Sequence, residues 1–350
     1  MTAPIRVLVV DDSMTVRGLI VDILNADPSF MVVGEATDGR QAIEMCERLR
    51  PDVVTMDMAM QLLSGLAATE YIMAFCPTPI VIVSSSMNRG EAFHTYDAIA
   101  AGAVDVLEKP SAATPTEEWA KRLTFVLRVA SRIKVVTHLK KRLPPSAPPS
   151  VRTAPSPAEI RVVAIGASTG GPGAVRRLLA DLPGGFPVPV LLVLHIGEPF
   201  DATLADWLDA QTEHRVGFAT HGQPLFEGKP RVVMAPAGRH LRVSNGRLYL
   251  DDGPERHSCR PSVDVLFESL ATELGASTAG VLMTGMGRDG AQGLLEIRRA
   301  GGYTIAQDEA TSIVYGMPRA ALELGAAKSV LPLELIGGAL SRVVKGGNRE

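Results

Sequence analysis

The feature that most constrains the fold is a proline-rich stretch near the middle of the chain. Residues 144–157, PPSAPPSVRTAPSP, contain six prolines and three serines. Proline fixes φ and lacks a backbone N–H, so a segment this rich in proline cannot form a helix or a central strand. An extended, semi-rigid connection is expected instead. The sequence therefore predicts two separately folded parts, which suits a chain of 350 residues at the usual size of about 150 residues per domain.

Before this connection, apolar runs typical of strands alternate with helical patterns. The runs are IRVLVV (5–10), MVVGEA (31–36), DVVTMD (52–57), PIVIVSS (79–85) and AVDVL (103–107). Continuous β-branched runs separated by helices, such as those expected at 14–26 and 40–49, indicate a parallel sheet covered on both faces. A doubly wound α/β domain is predicted over residues 1–125, and a basic helix with the proline-rich connection over 126–158.

The same alternation resumes after the connection. Strands are expected at RVVAIG (161–166), PVLLVLH (189–195), RVVMAP (231–236), AGVLMTG (279–285) and YTIAQD (303–308), with the last as the closing strand. Helical patterns cover 173–182, 202–210, 263–274 and 291–300. The Asn245-Gly246 pair within HLRVSNGRLYLDD (240–252) is a strong signal for a two-residue turn and predicts a small hairpin. A second doubly wound α/β domain is predicted over 159–346.

Composition argues against several classes of protein. The net charge is −3, so bulk charge gives no support to a nucleic-acid partner. Cys46, Cys76 and Cys259 are far apart in sequence, which suggests neither a disulfide framework nor a zinc site. The first residues do not resemble a signal peptide, and no apolar run approaches about 20 residues. A cytoplasmic monomer without membrane insertion is expected.

The segment 120–143 is strongly basic. It holds eight Lys or Arg residues and no acid, and Leu123, Leu127, Ala130 and Ile133 recur at helical spacing. The pattern predicts the last helix of the first domain continuing toward the connection. The alternative is a docking helix for an acidic partner.

In the first half, polar side chains follow successive strands. Asp11 and Asp12 end the first, Asp57 the third and Ser84 the fourth, and Lys109 follows the fifth. The ligand crevice of a doubly wound sheet lies outside these carboxyl ends. Crowded carboxylates repel one another unless a cation lies between them, and oxygen ligands suit Mg²⁺. We therefore predict a Mg²⁺ site at the three acids, with Asp57 as the phosphoryl acceptor.

In the second half, a glycine-flanked serine stands between an expected strand and an expected helix. The motif is GASTGG (166–171), with Ser168 at its centre. A serine on such a turn projects its hydroxyl from the carboxyl edge of the sheet, where a base can reach it. His195 ends the next buried strand and is the candidate base, and Asp289 in TGMGRDG (284–290) is the candidate orienting acid. The order Ser168, His195, Asp289 differs from the serine, acid, histidine order of α/β-hydrolases.

Two alternatives remain open at this point. GMGRDG (285–290) matches G-x-G-x-x-G after a strand, as in a dinucleotide site. That fingerprint normally occupies the first βα turn of its domain, where this chain has Ser168 instead. The other alternative is a response regulator whose second half only binds a partner. The presence of a nucleophile, a base and an orienting acid favours an enzyme.

Residues 1–125 resemble the response-regulator receiver domain. The resemblance rests on VVDDS (9–13), Asp57, Ser84 and Lys109-Pro110. It implies a flavodoxin-like fold in which Asp57 accepts a phosphoryl group from a histidine kinase. Ser84 and Lys109 would be the switch residues, and Asp11 and Asp12 would hold Mg²⁺ together with Asp57. The run MAMQLLSG (58–65) departs from the family's usual sequence, so an atypical phosphate lifetime is expected.

Apart from the connection, the whole chain resembles the CheB family of chemotaxis protein-glutamate methylesterases. The matching motifs are GASTGGP (166–172), His195, RPSVDVLF (260–267), TGMGRDG (284–290), TIAQDEA (304–310) and YGMPRAA (315–321). The resemblance implies a Rossmann-like catalytic domain that hydrolyses glutamate γ-methyl esters on methyl-accepting chemoreceptors and also deamidates receptor glutamines.

Roles for individual residues of the second half also follow from this resemblance. Ser168 would be the nucleophile, His195 the base and Asp289 the orienting acid. The oxyanion and substrate contacts would involve Thr169, Gly170 and Met286. The ester chemistry would need no cofactor. The run IGEPF (196–200) after His195 departs from the family's usual sequence, which would alter how the receptor docks.

Overall fold

The chain divides into two compact units, one within residues 1–148 and the other within 149–350. A computed structural model describes residues 3–85, 89–110, 116–133, 159–197, 200–227 and 231–346, without the side chains of 89–93. The proline-rich connection, the end of the basic segment, and Glu198 and Pro199 of the run after His195 therefore lie outside the described residues. Each unit is described by itself.

The first unit is a five-stranded parallel sheet with helices between the strands. Its strands are β1 (Ile5–Val10), β2 (Phe30–Ala36), β3 (Val53–Met56), β4 (Ile80–Ser84) and β5 (Asp105–Glu108). Its helices are α1 (Met14–Asn25), α2 (Gly39–Leu49), α3 (Gly65–Phe75), α4 (Arg89–Ala101) and α5 (Thr116–Ala130). The strand order is β2-β1-β3-β4-β5, and all pairs are parallel. The predicted flavodoxin-like fold is confirmed, and its order reverses at β1 and β3, whose carboxyl ends carry the acids.

Helix α5 runs across the boundary expected at residue 125. Leu123, Leu127 and Ala130 are fully buried, so the apolar stripe of the basic segment packs onto its own sheet. This observation favours the interpretation of this segment as the last helix of the first domain. The five residues beyond 125 that we assigned to the connecting segment are part of this helix.

The second unit is a seven-stranded sheet with a separate hairpin. Its strands are β6 (Val162–Ala167), β7 (Val190–Leu194), β8 (Val216–Phe218), β9 (Val232–Met234), β10 (His240–Ser244), β11 (Arg247–Asp251), β12 (Thr278–Leu282), β13 (Tyr303–Gln307) and β14 (Ser329–Leu331). Its helices are α6 (Gly171–Asp181), α7 (Phe200–Gln211), α8 (Val263–Glu273), α9 (Ala291–Arg299), α10 (Met317–Glu323) and α11 (Leu333–Gly346). The order in the large sheet is β14-β13-β12-β6-β7-β9-β8, with every pair parallel.

The topology of this sheet determines where the site forms. The chain leaves β6 in one direction through β7 and later returns to the other side of β6 as β12. The carboxyl ends of these three strands lie side by side at the point where the order reverses, which is where doubly wound sheets bind ligands. All residues of β6, β7 and β12 are buried, so these ends are held by strands in the centre of the core.

The predicted hairpin agrees with the structure, whereas the prediction that YTIAQD is the closing strand was wrong. Strands β10 and β11 pair in antiparallel register, and Asn245 and Gly246 have φ values of 50° and 66°, as a type I′ turn requires. YTIAQD is followed by β14, which pairs with β13 and forms the edge of the sheet. Among the described residues, no helix combines the length and apolar character needed to cross a bilayer.

Candidate active site

Ser168 lies on a tight turn between β6 and α6. Gly170 has a φ of 74°, a conformation that glycine adopts without strain, and the N–H of Gly171 donates to the Ser168 carbonyl at 2.7 Å. The Ser168 N–H donates to the Thr284 carbonyl at 3.0 Å. A Cβ atom at Gly285 would overlap the Ser168 side chain. The missing side chain of Gly285 thus lets the loop after β12 approach the serine closely.

A buried hydrogen-bond network fixes this turn to the loop after β12. The Thr284 hydroxyl donates to the Thr169 carbonyl at 3.0 Å and accepts from the Val314 N–H at 2.9 Å. The Thr284 N–H donates to Gln307 Oε1 at 2.8 Å, and the amide of Gln307 donates to the Thr311 carbonyl at 2.7 Å. Sequence reasoning gave no role to Thr284 or Gln307, although both stand inside motifs on which the family resemblance rests.

His195, which is partly buried, and the buried Asp289 form a pair beside the serine turn. His195 directly follows β7, and its Nε2 lies 2.8 Å from Asp289 Oδ2. Asp289 accepts hydrogen bonds only, so Nε2 carries a hydrogen, and in the neutral ring Nδ1 has the free lone pair. The atom next to Nδ1 is Cys259 Sγ, at 3.6 Å. Within the described residues no hydrogen bond joins Ser168 to His195, so the structure brings together two members of the predicted triad in direct contact and places the third on the neighbouring strand end.

Asp289 is held at the amino end of α8. Its Oδ1 accepts from the Ser262 hydroxyl at 2.7 Å and from the Asp264 N–H at 3.2 Å. Its Oδ2 accepts from the Val263 N–H at 2.7 Å, in addition to His195. A helix amino end offers unpaired N–H groups and positive potential to a carboxylate. Burial alone would raise the pKa of Asp289, but the His195, Ser262 and Val263 donors keep this pKa below its ordinary value. Asp289 is therefore ionised.

Burial and the neighbours of His195 act on its pKa in opposite directions. Burial lowers the pKa, because the charged imidazolium loses hydration. The hydrogen bond to Asp289 and the contact with Cys259 outweigh this effect and raise the pKa of His195 to about 9. The ring therefore holds a proton strongly, and it must release that proton to serve as a base.

Two groups near the serine are suited to bind an oxyanion. Within the described part of the chain, the backbone N–H groups of Thr169 and Met286 donate to no backbone acceptor. Thr169 directly follows Ser168 in the sequence. Met286 directly follows Gly285, the residue at which a Cβ atom would overlap the Ser168 side chain. The side chain of Met286 is 39% exposed, so it lies at the mouth of the site. Gly170 contributes to the site through its backbone, which turns the chain after Ser168. A Cβ atom at this position would overlap Ile313.

The GMGRDG motif has a different role from that of a dinucleotide fingerprint. Gly285 provides the close approach to Ser168. Asp289 turns toward α8 and His195 instead of a ribose. Gly290, with a φ of 85°, begins α9. The motif therefore assembles the serine site.

The first unit contains a second polar cluster, where the sequence placed it. Lys109 Nζ lies 3.0 Å from Asp11 Oδ2 and 2.9 Å from Asp57 Oδ2. Asp11 and Asp57 are buried, whereas Asp12 is exposed. The carboxylate oxygens of the three acids lie within 4.8 Å of one another. Ser84 is buried at the end of β4, and its carbonyl accepts from the Lys109 N–H at 2.9 Å.

The electrostatics of this cluster favour a cation. Burial raises the pKa of Asp57 to about 6, although the hydrogen bond and the charge of Lys109 act in the opposite direction. Burial also raises the pKa of Asp11 against the effect of Lys109. One lysine therefore does not compensate the buried carboxylates fully. An all-oxygen donor set that still lacks positive charge fits Mg²⁺.

The departure after Asp57 has a structural explanation in part. Ser64, where the receiver family usually has another residue, caps α3 by accepting from the Ala67 N–H. The next residue, Gly65, packs so closely on the Asp57 carbonyl that a Cβ would overlap it. The loop after Asp57 therefore keeps a tight, capped conformation with its unusual sequence.

These features are those of a candidate hydrolytic site on one unit and a candidate phosphoacceptor site on the other. Comparison with known proteins agrees. Residues 163–340 match the model of the CheB methylesterase family, and residues 7–118 match the response regulator receiver domain. The chain belongs to the CheB methylesterase family.

Individual relatives cover the whole chain. It is 44% identical over 98% of both chains to "Protein-glutamate methylesterase/protein-glutamine glutaminase 2" of Anaeromyxobacter dehalogenans. It is 41% identical, again over 98% of both, to the protein of the same activities from Symbiobacterium thermophilum. The crystal structure of the Thermotoga maritima CheB methylesterase catalytic domain superposes with a TM-score of 0.50 at 35% identity, covering 53% of this chain and 100% of that one.

Proposed function

We propose that this protein is a phosphorylation-controlled protein-glutamate methylesterase that acts on methyl-accepting chemoreceptors. The observation that carries the proposal is the hydrogen-bonded His195–Asp289 pair beside the Ser168 turn. An imidazole oriented by an ionised carboxylate next to a serine on a strand-to-helix turn is the arrangement used for acyl transfer. The names of the full-length relatives give the substrate class, a glutamate γ-methyl ester.

The proposed reaction proceeds through an acyl-enzyme. Ser168 Oγ attacks the γ-carbonyl carbon, and His195 Nδ1 takes the serine proton, because Nε2 is occupied by Asp289. Because no hydrogen bond joins the two side chains in the described residues, side-chain rotation must first bring Oγ to Nδ1. The N–H groups of Thr169 and Met286 stabilise the tetrahedral oxyanion, a contribution of about 3–4 kcal/mol per donor in related chemistry. Nδ1 then protonates the leaving methoxide, which departs as methanol.

Water completes the cycle. It attacks the acyl-enzyme carbonyl, gives its proton to His195 Nδ1, and releases glutamate and free Ser168 when that proton returns to Oγ. A glutamine side chain enters the same sequence with ammonia as the leaving group, so deamidation of receptor glutamines is proposed as the second activity. Each step uses only groups of the chain and water.

The first unit is proposed to control this activity through Asp57. A chemotaxis histidine kinase is the proposed phosphodonor. Asp11, Asp12 and Asp57 would hold Mg²⁺, and the ion would supply positive charge to the transferring phosphoryl group. Lys109, already 2.9 Å from Asp57, would contact the phosphoryl oxygens, and Ser84 lies at the neighbouring strand end. We further propose a cytoplasmic monomer that binds neither nucleic acid nor the bilayer directly.

The test of this function is methanol release from receptor membranes that carry methylated glutamates. The full-length protein is expected to release methanol, and a small phosphodonor with Mg²⁺ is expected to raise the rate. Unmethylated membranes provide the control. A protein that releases no methanol from methylated receptors under either condition would contradict the proposal.

The phosphoryl group is expected on Asp57 and on no other residue. A radiolabelled small-molecule phosphodonor and Mg²⁺ should label the wild type, whereas Asp57→Ala should remain unlabelled because the nucleophilic carboxylate is gone. Asp52→Ala is the matched control: Asp52 is an exposed carboxylate at the opposite end of β3 that accepts from the Arg6 N–H. Equal labelling of wild type and Asp57→Ala would place the phosphoryl group on another residue.

The esterase rate is expected to rise with pH. Only the neutral ring of His195 can accept the serine proton, and its pKa is about 9. Below that pKa the active fraction falls about tenfold per pH unit, so kcat/KM should climb up to about 9 and level off above it. Cys259→Ala removes one cause of the raised pKa and should move the profile to lower pH. The measurement is kcat/KM between about pH 6 and about pH 10, with a metal chelator present; a profile that is flat above neutrality would refute the raised pKa.

A further inference from the structure

The contact between Cys259 and His195 is not used by the proposed reaction. Cys259 Sγ lies 3.6 Å from His195 Nδ1, the nitrogen that must accept the serine proton. The two residues are 64 positions apart in sequence, so their spacing gave no sign of a metal site. Cys259 is half-buried, unlike Cys46 and Cys76, which are buried in the first unit. A small ion can therefore reach the sulfur.

A strained turn fixes the position of this sulfur. The backbones of Arg256 and Cys259 exchange hydrogen bonds of 3.2 and 2.9 Å. The two residues between them, His257 and Ser258, have φ values of 52° and 60°. Such values are common for glycine but costly for histidine and serine. The chain tolerates this cost only because its surroundings hold the turn in place.

The side chains of Arg256 and His257 anchor the turn to α8. His257 Nε2 lies 3.2 Å from the buried Asp264 Oδ2. The Arg256 guanidinium donates to both carboxylate oxygens of Glu268, at 2.6 and 2.9 Å. The amino end of the same helix holds Asp289, which in turn holds His195. One helix therefore positions both the sulfur and the imidazole.

The separation of the two atoms matches the spacing of ligands on a tetrahedral metal ion. Bonds of about 2.3 Å to sulfur and about 2.0–2.1 Å to nitrogen, at the tetrahedral angle, place two ligand atoms about 3.5–3.6 Å apart. The observed separation is 3.6 Å. Ligand atoms of His195, Cys259 and Asp289 all lie within 4.8 Å of one another.

The other face of the imidazole is also arranged as in metal sites. A ligating histidine usually donates its second ring N–H to a carboxylate, which orients the ring and strengthens the ligand. Nε2 of His195 has this contact with Asp289 at 2.8 Å. Nδ1 is the nitrogen left free, and it is the one that faces the sulfur.

We propose that Cys259 Sγ and His195 Nδ1 bind a soft divalent transition-metal cation such as Zn²⁺, with water in the remaining positions, and that this ion inhibits the esterase. Thiolate and imidazole ligands select Zn²⁺ over Mg²⁺. The bound ion occupies the lone pair that would take the proton of Ser168, so ester attack stops. The inhibition rests on the proposed function, whereas the binding does not. Divalent cations would then have opposite effects on the two units: Mg²⁺ would support phosphorylation of the first unit, and Zn²⁺ would inhibit the esterase of the second.

Cobalt absorption tests the binding without any use of activity. Co²⁺ adopts tetrahedral sites of this type, and sulfur ligation adds a thiolate-to-metal charge-transfer band. Metal-free full-length protein should develop this band on titration with Co²⁺. Cys259→Ser and His195→Gln should lack it, and His221→Gln, which changes an exposed histidine outside the site, should retain it. Cys46 and Cys76 remain in every variant, and thermal unfolding confirms that each variant is folded.

The presence or absence of this charge-transfer band shows whether Cys259 and His195 bind the metal. An equal band in Cys259→Ser would assign the metal to another thiol, and a wild type without a band would show that the pair binds no metal. Either result overturns the proposal.

Zinc titration of the esterase tests the inhibition. For each protein, the rate in zinc is divided by the rate of the same protein in chelator, so that differences in basal activity cancel. Zn²⁺ should inhibit the wild type, and excess chelator should restore the rate. Half-inhibition of Cys259→Ser should need at least about tenfold more zinc, and the same concentrations of Mg²⁺ should not inhibit. A wild type that shows the cobalt band and keeps its full rate in zinc would overturn the inhibition. A protein with no esterase activity in chelator would contradict the proposed function itself, and the cobalt result would still decide the site.

Discussion

Replacing Ser168 with alanine is expected to lower the rate of methanol release by about 10⁵-fold or more. The variant keeps the oxyanion donors and the His195–Asp289 pair but has no atom to attack the ester carbon. The contacts of Ser168 with Thr284 and Gly171 are made by its backbone, and alanine preserves them. The protein should therefore keep its unfolding temperature while losing its activity.

Ser269→Ala is the matched control for this experiment. Ser269 lies on α8, where its hydroxyl donates to the Leu266 carbonyl and accepts from the Val243 N–H. Its loss should cost some stability and leave the rate close to that of the wild type. Methanol release is measured from the same methylated membranes for all three proteins. Near-normal release by Ser168→Ala would show that another group attacks the ester.

Replacing Asp289 with asparagine is expected to lower kcat by about 10⁴-fold, the loss seen when the orienting acid of a serine protease is neutralised. The asparagine amide cannot accept from all the donors that now face Asp289. These include His195 Nε2, the Ser262 hydroxyl and the Val263 N–H. The imidazole would no longer be held with its hydrogen on Nε2, so Nδ1 would lose its role as the acceptor.

Asp264→Asn separates this effect from the general cost of changing a buried acid. Asp264 is as buried as Asp289 and lies on α8, whose amino end holds Asp289, but its side chain contacts His257 and the Gly293 N–H and not His195. We expect Asp264→Asn to lose stability with a far smaller loss of kcat. Single-turnover rates and thermal unfolding of both variants provide the comparison. Equal losses of kcat would mean that Asp289 acts only by supporting the fold.

The strands that carry the site could be predicted because their sequences are locally unambiguous. Val190–Leu194 is a continuous apolar run, and its end fixes the place of His195. Four elements of the second unit could not be predicted. The edge strands β8 and β14 have only three residues each, too few for a periodic pattern. Helix α10 has only seven residues.

The fourth of these elements, helix α11, contains the adjacent glycines Gly337 and Gly338, which argue against a helix locally. The structure explains the first of them. A Cβ at Gly337 would press against Asp181 of α6. The residue is therefore small because two helices approach closely, which is a tertiary constraint that local sequence does not carry.

The residues of the candidate site, too, could be predicted only in part. Reading strand ends located Ser168, His195 and Asp57 in advance. It gave no account of how Asp289 is held, because Ser262 and Asp289 are 27 residues apart and meet only when α8 has docked. It also missed Cys259, because the turn that aims this sulfur uses positive φ at His257 and Ser258. Turns of this kind are recognised in sequence by glycine or asparagine, and neither is present there.

The placement of β6 between β7 and β12 has a consequence for the synthesis of the protein. Thr169 and Thr284, which tie the serine turn to the next strand end, are 115 residues apart in the sequence. A growing chain that has just completed β7 already contains Ser168 and His195, yet it lacks both the loop that supports the serine and the acid that orients the histidine. Under the proposed function, full esterase activity therefore requires that Asp289 has been synthesised and that β12 has inserted beside β6.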